Sequence, residues 1–218
     1  MNSQIEENYL KAIYKISQEV SAPVSTSKLA EEMGVQSASV TDMIKKLSQK
    51  ELLSYKKYHG VSLSDKGRKE AVRIIRKHRL WETFLVEKLS FGWGEVHEVA
   101  EQLEHVRSEQ LVDRLDAFLD FPQVDPHGDP IPDKDGVVRR QANVPLTSLR
   151  PGQKGMISAV KHDGKDLLDY LDRHNLVLGN HLEVVEILDF DGSMQVKVAG
   201  KEQYVSEKIA GNILVKKS

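Results

Sequence analysis

Between residues 6 and 64 the apolar spacing is helical through three short stretches, changes to the pattern of a strand hairpin, and then turns helical again. Few folds accept that order. Tyr9, Ile13 and Ile16, with Leu10 and Tyr14 beside them, recur at three and four, the stripe of an amphipathic helix. Ser21-Ala22-Pro23 breaks it, and a short helix follows over residues 26–33, with Thr26 or Ser27 as its cap and Gly34 as its stop. Ser37 is the expected cap of the next helix, residues 38–47, whose Val40, Met43, Ile44 and Leu47 face inward and whose Thr41, Asp42, Lys45 and Lys46 face out. Residues 52–63 read as two strands around a turn near His59-Gly60, with Lys56-Lys57 at the tip, and Ser64 caps a long helix reaching about Leu89. Two helices across a Gly turn followed by a hairpin form a winged helix-turn-helix, whose second helix enters a major groove.

The charge distribution agrees. Residues 1–80 carry 15 basic against 9 acidic residues, residues 81–140 carry 6 against 14, and residues 141–218 carry 10 of each. A basic segment in an otherwise acidic chain suits a polyanion, because neutralised phosphates supply most non-specific nucleic-acid affinity. The chain has no cysteine, which excludes disulfides, thiolate nucleophiles, zinc-thiolate sites and iron–sulfur clusters. No apolar run approaches the length of a membrane span, and the N-terminus lacks a signal-peptide pattern, so the expected location is the cytoplasm.

The acidic middle has the spacing of a metal site. His78 and Glu82 lie one turn apart on the long helix. A following helix, read over residues 96–105, places His97, Glu101 and His105 at i, i+4 and i+8 with Glu104 beside them. Carboxylates crowded on one face repel unless a cation holds them, and a thiolate-free carboxylate and imidazole set favours Mn(II) or Fe(II). The competing reading is a solvated acidic helix. Residues 121–145 hold five of the seven prolines and read as a linker. Beyond it, strands near residues 144–146, 155–160, 181–187, 193–198 and 203–205 and a helix over 166–174 suggest a small barrel.

The order of these features resembles the diphtheria toxin repressor family of metal-dependent transcriptional repressors. The resemblance is carried by His78-Arg79-Leu80-Trp81-Glu82, by Glu101-Gln102-Leu103-Glu104-His105, and by the stretch from Asp125 to Pro132. It implies an activating metal site at Asn8, His78, Glu101, Glu104 and His105, and a second site at Glu82, His97 or His127 and an acidic residue of the C-terminal domain, matched best by Asp163. Asp163 has an alternative role as a cap of the helix that follows it. Glu101, where iron-responsive members carry Cys, leans toward manganese; Asn8 and Lys11 stand where manganese-responsive members often carry Asp and Glu. An amide is a weak neutral ligand and lysine cannot ligate, which argues against a two-metal cluster there. Asp125 stands where many members carry Cys, and a carboxylate can serve that place.

The fold expected is mainly α with a small β part: a winged helix-turn-helix over residues 1–64, a helical metal-binding and dimerisation domain with its linker over 65–140, and a small SH3-like, FeoA-like β-barrel over 141–218. The function expected is a Mn(II)- or Fe(II)-dependent repressor of metal-homeostasis genes, not an enzyme. It would bind a pseudo-palindromic operator in double-stranded DNA as a homodimer, with Trp93, Val96 and residues 111–119 supplying apolar interface. Gln36, Ser37, Ala38, Ser39, Thr41 and Asp42 are expected nearest the base edges, and Lys45, Lys46, Lys56 and Lys57 on phosphates. Two competitors are a winged-helix regulator not gated by metal and a metal-dependent hydrolase. The hydrolase lacks a Gly-rich phosphate cradle or a nucleophile motif.

Overall fold

The computed structural model describes residues 2–20, 23–56, 59–139, 142–161 and 164–217. It divides into two compact units, one of Met1–His78, Leu103–Ser108 and Pro132–Val137, the other of Arg79–Gln102, Glu109–Ile131 and Val138–Ser218.

In the first unit, α1 (Gln4–Glu19) opens on a capping box: Glu6 N–H donates to Ser3 Oγ at 3.3 Å, and Ser3 N–H donates to the Glu6 carboxylate at 2.7 Å. Its inward stripe is Tyr9, Leu10, Ala12, Ile13 and Ile16. Helix α2 (Thr26–Met33) is capped by Ser25, whose Oγ accepts Lys28 N–H at 3.2 Å, so Thr26 and Ser27 fall inside the helix instead of capping it. Gly34 stops it in the left-handed conformation at φ 62°, where a side chain would be strained. Helix α3 (Ser37–Gln49) begins one residue earlier than its composition suggests: Gln36 takes the cap position with no side-chain bond, and Ser37 is the first helical residue. Strands β1 (Leu53–Lys56) and β2 (Gly60–Leu63) pair antiparallel from Leu53 and Leu63 inward, and Val24 adds a third rung on Val61 through two bonds of 2.8 and 2.9 Å. One core unites α1, α2, α3 and the hairpin, with Leu10, Leu29 and Leu47 fully enclosed. Truncating any one of these leucines to alanine costs about 2–5 kcal/mol, enough to unfold a marginal domain. Helix α4 (Asp65–Leu89) follows, capped by Ser64 as expected.

In the second unit, the latter part of α4 and α6 (Glu109–Phe118) contribute to a core of Leu80, Val112, Leu115, Leu119 and Ile131, edged by Trp81 and Phe84. Helix α5 (Val96–Leu103) ends two residues short of His105. The C-terminal part is β-rich: β3 (Val144–Pro145), a 3₁₀ turn (Leu146–Ser148), β4 (Lys154–Val160), α7 (Lys165–Arg173), β5 (His181–Ile187), β6 (Met194–Val198), β7 (Lys201–Val205), α8 (Glu207–Ala210) and β8 (Ile213–Lys217). The sheet runs β3-β8-β4-β5-β6-β7 and is antiparallel throughout; among the described residues β3 and β7 do not pair, so it stays open. Strand β8 has no counterpart in the sequence reading. Only Ile213 and Val215 of its five residues are buried, too short an alternation to stand out beside a basic terminus. No helix among the described residues is long and apolar enough to cross a membrane.

Candidate metal centres and nucleic-acid interface

Helix α4 carries the first element of a buried triad in the second unit. Glu82 is 2 % exposed, and its ligand atoms, with those of Asp125 and His127, all lie within 4.8 Å of one another. Glu82 faces two imidazoles: His97 Nδ1–H donates to Oε1 at 3.1 Å, and His127 Nδ1 lies 3.7 Å from Oε2. The other nitrogen of His127 donates to the Trp93 carbonyl at 3.2 Å. That bond fixes the ring and leaves Nδ1 as the atom turned toward the carboxylates. The Trp93 indole stacks on the His127 ring and donates to the Pro126 carbonyl at 2.8 Å. Trp93 is partly buried against the C-terminal core, and Val96, expected at the dimer interface, is fully buried within the chain.

The loop bearing Asp125 and His127 is organised by Asp125 itself, whose Oδ1 accepts the N–H groups of His127 at 2.8 Å and Asp129 at 3.0 Å. Arg79 clamps it from α4, donating to the Pro130 carbonyl at 2.6 Å and to Asp129 at 2.9 Å, with Nε 3.4 Å from Asp125. Electrostatics match a site built for a cation. Burial, then the charges of Glu82 and Asp129, push the Asp125 carboxyl up. Burial disfavours a charged His127, but the contact with Glu82 and the charge of Asp125 outweigh it and raise the ring to about 9. Two buried carboxylates thus hold a proton on an imidazole, in the position where a metal ion would replace it.

The first unit holds a second constellation. Glu104 is fully buried; Lys11 Nζ donates to both of its oxygens, at 2.8 and 2.9 Å, and His78 Nδ1 lies 2.6 Å from Oε2. Burial alone would raise this carboxyl, but the His78 contact and the Lys11 charge hold it below the usual carboxylate range. His105 Nδ1 pairs with Glu7 Oε2 at 2.6 Å, and its Nε2 lies 3.8 Å from Glu104 Oε1. Asn8 Oδ1 is buried with no hydrogen-bond partner among the described residues. The expectation that His97, Glu101 and His105 share one helical face fails at its third member, because α5 ends at Leu103 and Glu104 and His105 lie in the turn beyond. Glu101 remains on α5, half exposed, 3.7 Å from His97 Nε2. Asp163 lies outside the described residues.

Three participants escaped sequence reasoning. Glu7 neighbours Asn8 and lies one turn before Lys11, a signal available in the first helix. Lys11 was set aside because lysine cannot ligate. Asp125 was seen only as a substitute for a cysteine, not as a member of the ligand set.

Residues 36–39 at the start of α3 are exposed, as are Asp42, Lys45 and Lys56, and Thr41 is half-buried with its hydroxyl on the Ser37 carbonyl. Lys45 pairs with Asp42 at 3.3 Å, and Lys46 lies 3.3 Å from the buried Glu6 carboxylate while more than half exposed itself. Lys57 lies outside the described residues.

Comparison with known proteins agrees with this architecture. Residues 1–61 match the iron-dependent repressor N-terminal DNA-binding domain, residues 64–133 the iron-dependent repressor metal-binding and dimerisation domain, and residues 144–217 the FeoA domain. The iron-dependent repressor IdeR of Mycobacterium tuberculosis is 34% identical over 134 residues, which cover 61% of this chain and 58% of that protein. The diphtheria toxin repressor of Corynebacterium diphtheriae is 27% identical over 216 residues, 96% of this chain and 95% of that one. A solved manganese-dependent transcriptional repressor in complex with manganese superposes with a TM-score of 0.87 at 36% identity, over 98% of this chain and all of the other.

Proposed function

The chain belongs to the iron-dependent repressor family, the metal-dependent DNA-binding transcriptional repressors that include the diphtheria toxin repressor, and from that premise we propose that Mn(II) or Fe(II) is its activating ligand and that Glu82, Asp125 and His127 form one of its metal sites. The observation that carries this reading is the buried triad itself, three donors from α4 and the 125–127 loop with a protonated imidazole among them. A divalent ion there would be held by donors from α4 and the 125–127 loop and would supply two positive charges between them. To take the ion His127 would give up the proton on Nδ1 and keep its bond to Trp93, Asp125 would keep its loop bonds through Oδ1, and His97 would hold the far oxygen of Glu82. Oxygen and imidazole donors without sulfur suit manganese or ferrous iron better than copper. The second donor group comprises Asn8, His78, Glu104 and His105; Glu101 is a further candidate ligand, and Asp163 a candidate for the site of Glu82 and His127.

The protein is a DNA-binding repressor, not an enzyme, and acts as a homodimer through its dimerisation domain. The proposed division is 1–64 for DNA, 65–140 for metal and dimerisation, and 141–218 for an SH3-like module, supported by the limits of the three matched domains. Exposed Leu111, Phe118 and Phe121 supply apolar surface for the dimer. Residues 36–39, Thr41 and Asp42 read bases, while Lys45, Lys46, Lys56 and Lys57 bind phosphates. That reading rests on the exposed start of α3 and the basic wing.

The experiment is fluorescence anisotropy on a labelled duplex selected from random sequence by the Mn(II)-loaded protein. The protein is first chelated, then given Mn(II), Fe(II) without oxygen, or Zn(II). A large gain in specific affinity with Mn(II) or Fe(II) is expected. Equal affinity with and without metal would leave a winged-helix regulator that metal does not gate.

A further inference from the structure

Glu104 has no oxygen to spare. Both accept from the Lys11 ammonium, one of them lies 2.6 Å from His78, and the carboxylate is fully enclosed. The adjacent imidazole, His105, is likewise committed through Nδ1 to Glu7. Yet Asn8, one turn before Lys11 on the same helix, keeps a buried carbonyl oxygen without a hydrogen-bond partner among the described residues, an acceptor that a cation would satisfy. The cluster therefore has the donors for a divalent ion and an internal cation already on its central carboxylate. Lysine suits that role: its ammonium is a compact charge on a flexible stem, and the side chain is 18% exposed, so the head can leave for water once displaced.

We propose that Lys11 is a tethered competitor for divalent metal at the Asn8, Glu104 and His105 cluster, occupying the Glu104 carboxylate in the metal-free protein and giving way when an ion binds. The inference rests on the metal-sensing reading above. A site whose competent form is populated only in part binds with an affinity reduced by that fraction, so an ion pair formed about 90% of the time weakens it about tenfold. In the metal-free protein Lys11 also ties α1 to the Glu104 turn, so the helix is already held before metal arrives. At the triad of Glu82, Asp125 and His127 the cation set against a carboxylate is instead Arg79, whose Nε lies 3.4 Å from Asp125.

The test is calorimetric titration of the full chain with Mn(II) alone. In a Glu82→Gln background, which removes the triad, the residual site should be lost in His105→Ala and should tighten about tenfold or more in Lys11→Met. Unchanged or weaker binding in Lys11→Met overturns the proposal. The wild-type protein gives a second readout that needs no variant. In the metal-free state the Lys11 ammonium should give a protected NMR signal, and saturating Zn(II) should remove the protection; a signal that persists under Zn(II) also overturns it. The two readings fail separately: no Mn(II) bound by the wild-type chain at any site removes the sensor, whereas normal triad binding with an indifferent Lys11→Met removes only the competitor.

Discussion

His127 shows how one ring can combine three demands. Its Nε2–H is spent on a backbone carbonyl, its Nδ1 faces carboxylates, and the resulting imidazolium persists to about 9 although it is buried. A group with a raised value carries its proton at neutral pH, so a metal at Nδ1 must expel it, and affinity grows as pH rises toward 9. One proton released per ion gives about tenfold tighter Mn(II) binding per pH unit between 7 and 8.5. Titrations in buffers of different ionisation enthalpy measure both the slope and the proton count, and a flat profile contradicts the assignment of His127 as a ligand. The same ring contributes stability to the metal-free protein that is fully present below about 6.5 and lost as pH passes about 9. Little of this was visible in the sequence. His127 was a candidate from the Pro-His-Gly context, but its tautomer depends on the Trp93 carbonyl, and a backbone carbonyl leaves no mark in residue spacing.

At the scale of elements, the helices were legible wherever an apolar stripe met an enclosed core, and their ends were not. The stripe sets which face turns inward, yet Ser25 and Thr26 are equally good caps on composition, and only the chain path chooses between them. The end of α5 is more instructive. No glycine or proline follows Leu103 directly, and the pattern of His97, Glu101 and His105 suits a longer helix; the stop coincides with Glu104 and His105 being held by Lys11, His78 and Glu7. Helix α1 is tied by Glu6 as well, which pairs with Lys50 at 2.8 Å and Lys46 at 3.3 Å. Burial works against that carboxylate, but bonds from Lys50, Ser3 and Lys46 hold it down to about 2. Its contribution is therefore complete above about 4.5 and lost as pH falls toward 2. Glu6→Gln is expected to cost about 1–3 kcal/mol in denaturant unfolding at pH 7, where charge-assisted bonds are lost but the lysines regain water. A loss that stays the same at pH 2 would show that the charge of Glu6 is not the cause. On the outer face of α3, Gln36→Ala should change which sequences are preferred. Lys56→Ala should weaken every sequence alike and lower the salt slope by about one, measured by anisotropy across a salt series. Identical effects of the two variants on specific and random duplexes would reject the split between base-reading and phosphate-binding residues.

For the molecule as a whole, the question is why the metal loop lies against the β-rich C-terminal part. Within the second unit the loop is stitched to β4: Val160 N–H donates to the His127 carbonyl at 3.0 Å, and a Cβ on Gly128 would fall 2.1 Å from the Ser158 carbonyl oxygen and 2.5 Å from Ala159 Cα. Trp93, which holds His127, packs on the C-terminal core. The stretch from Asp125 to Pro132 drew notice in the sequence for its resemblance, but the partner surface lies about thirty residues downstream in a strand that gave no sign of it. The β-rich part therefore buttresses the ligand loop, and its loss of contact should be felt as lost metal affinity. Gly128→Ala tests this. The residue sits at φ +86°, strained for any side chain, and the new methyl group meets backbone that cannot rotate away. The loop must lift from β4, carrying His127 and Asp125 away from Glu82. Mn(II) affinity at the triad should fall about 10–100-fold, the scale on which supporting contacts act at metal sites. The first unit, whose core is separate, should keep its fold and its metal-independent affinity for random duplex. Wild-type Mn(II) binding in Gly128→Ala would mean that the loop holds its geometry alone and that the β-rich part has another purpose. Weakened metal binding together with an unfolded winged helix would mean that the two units do not fold independently.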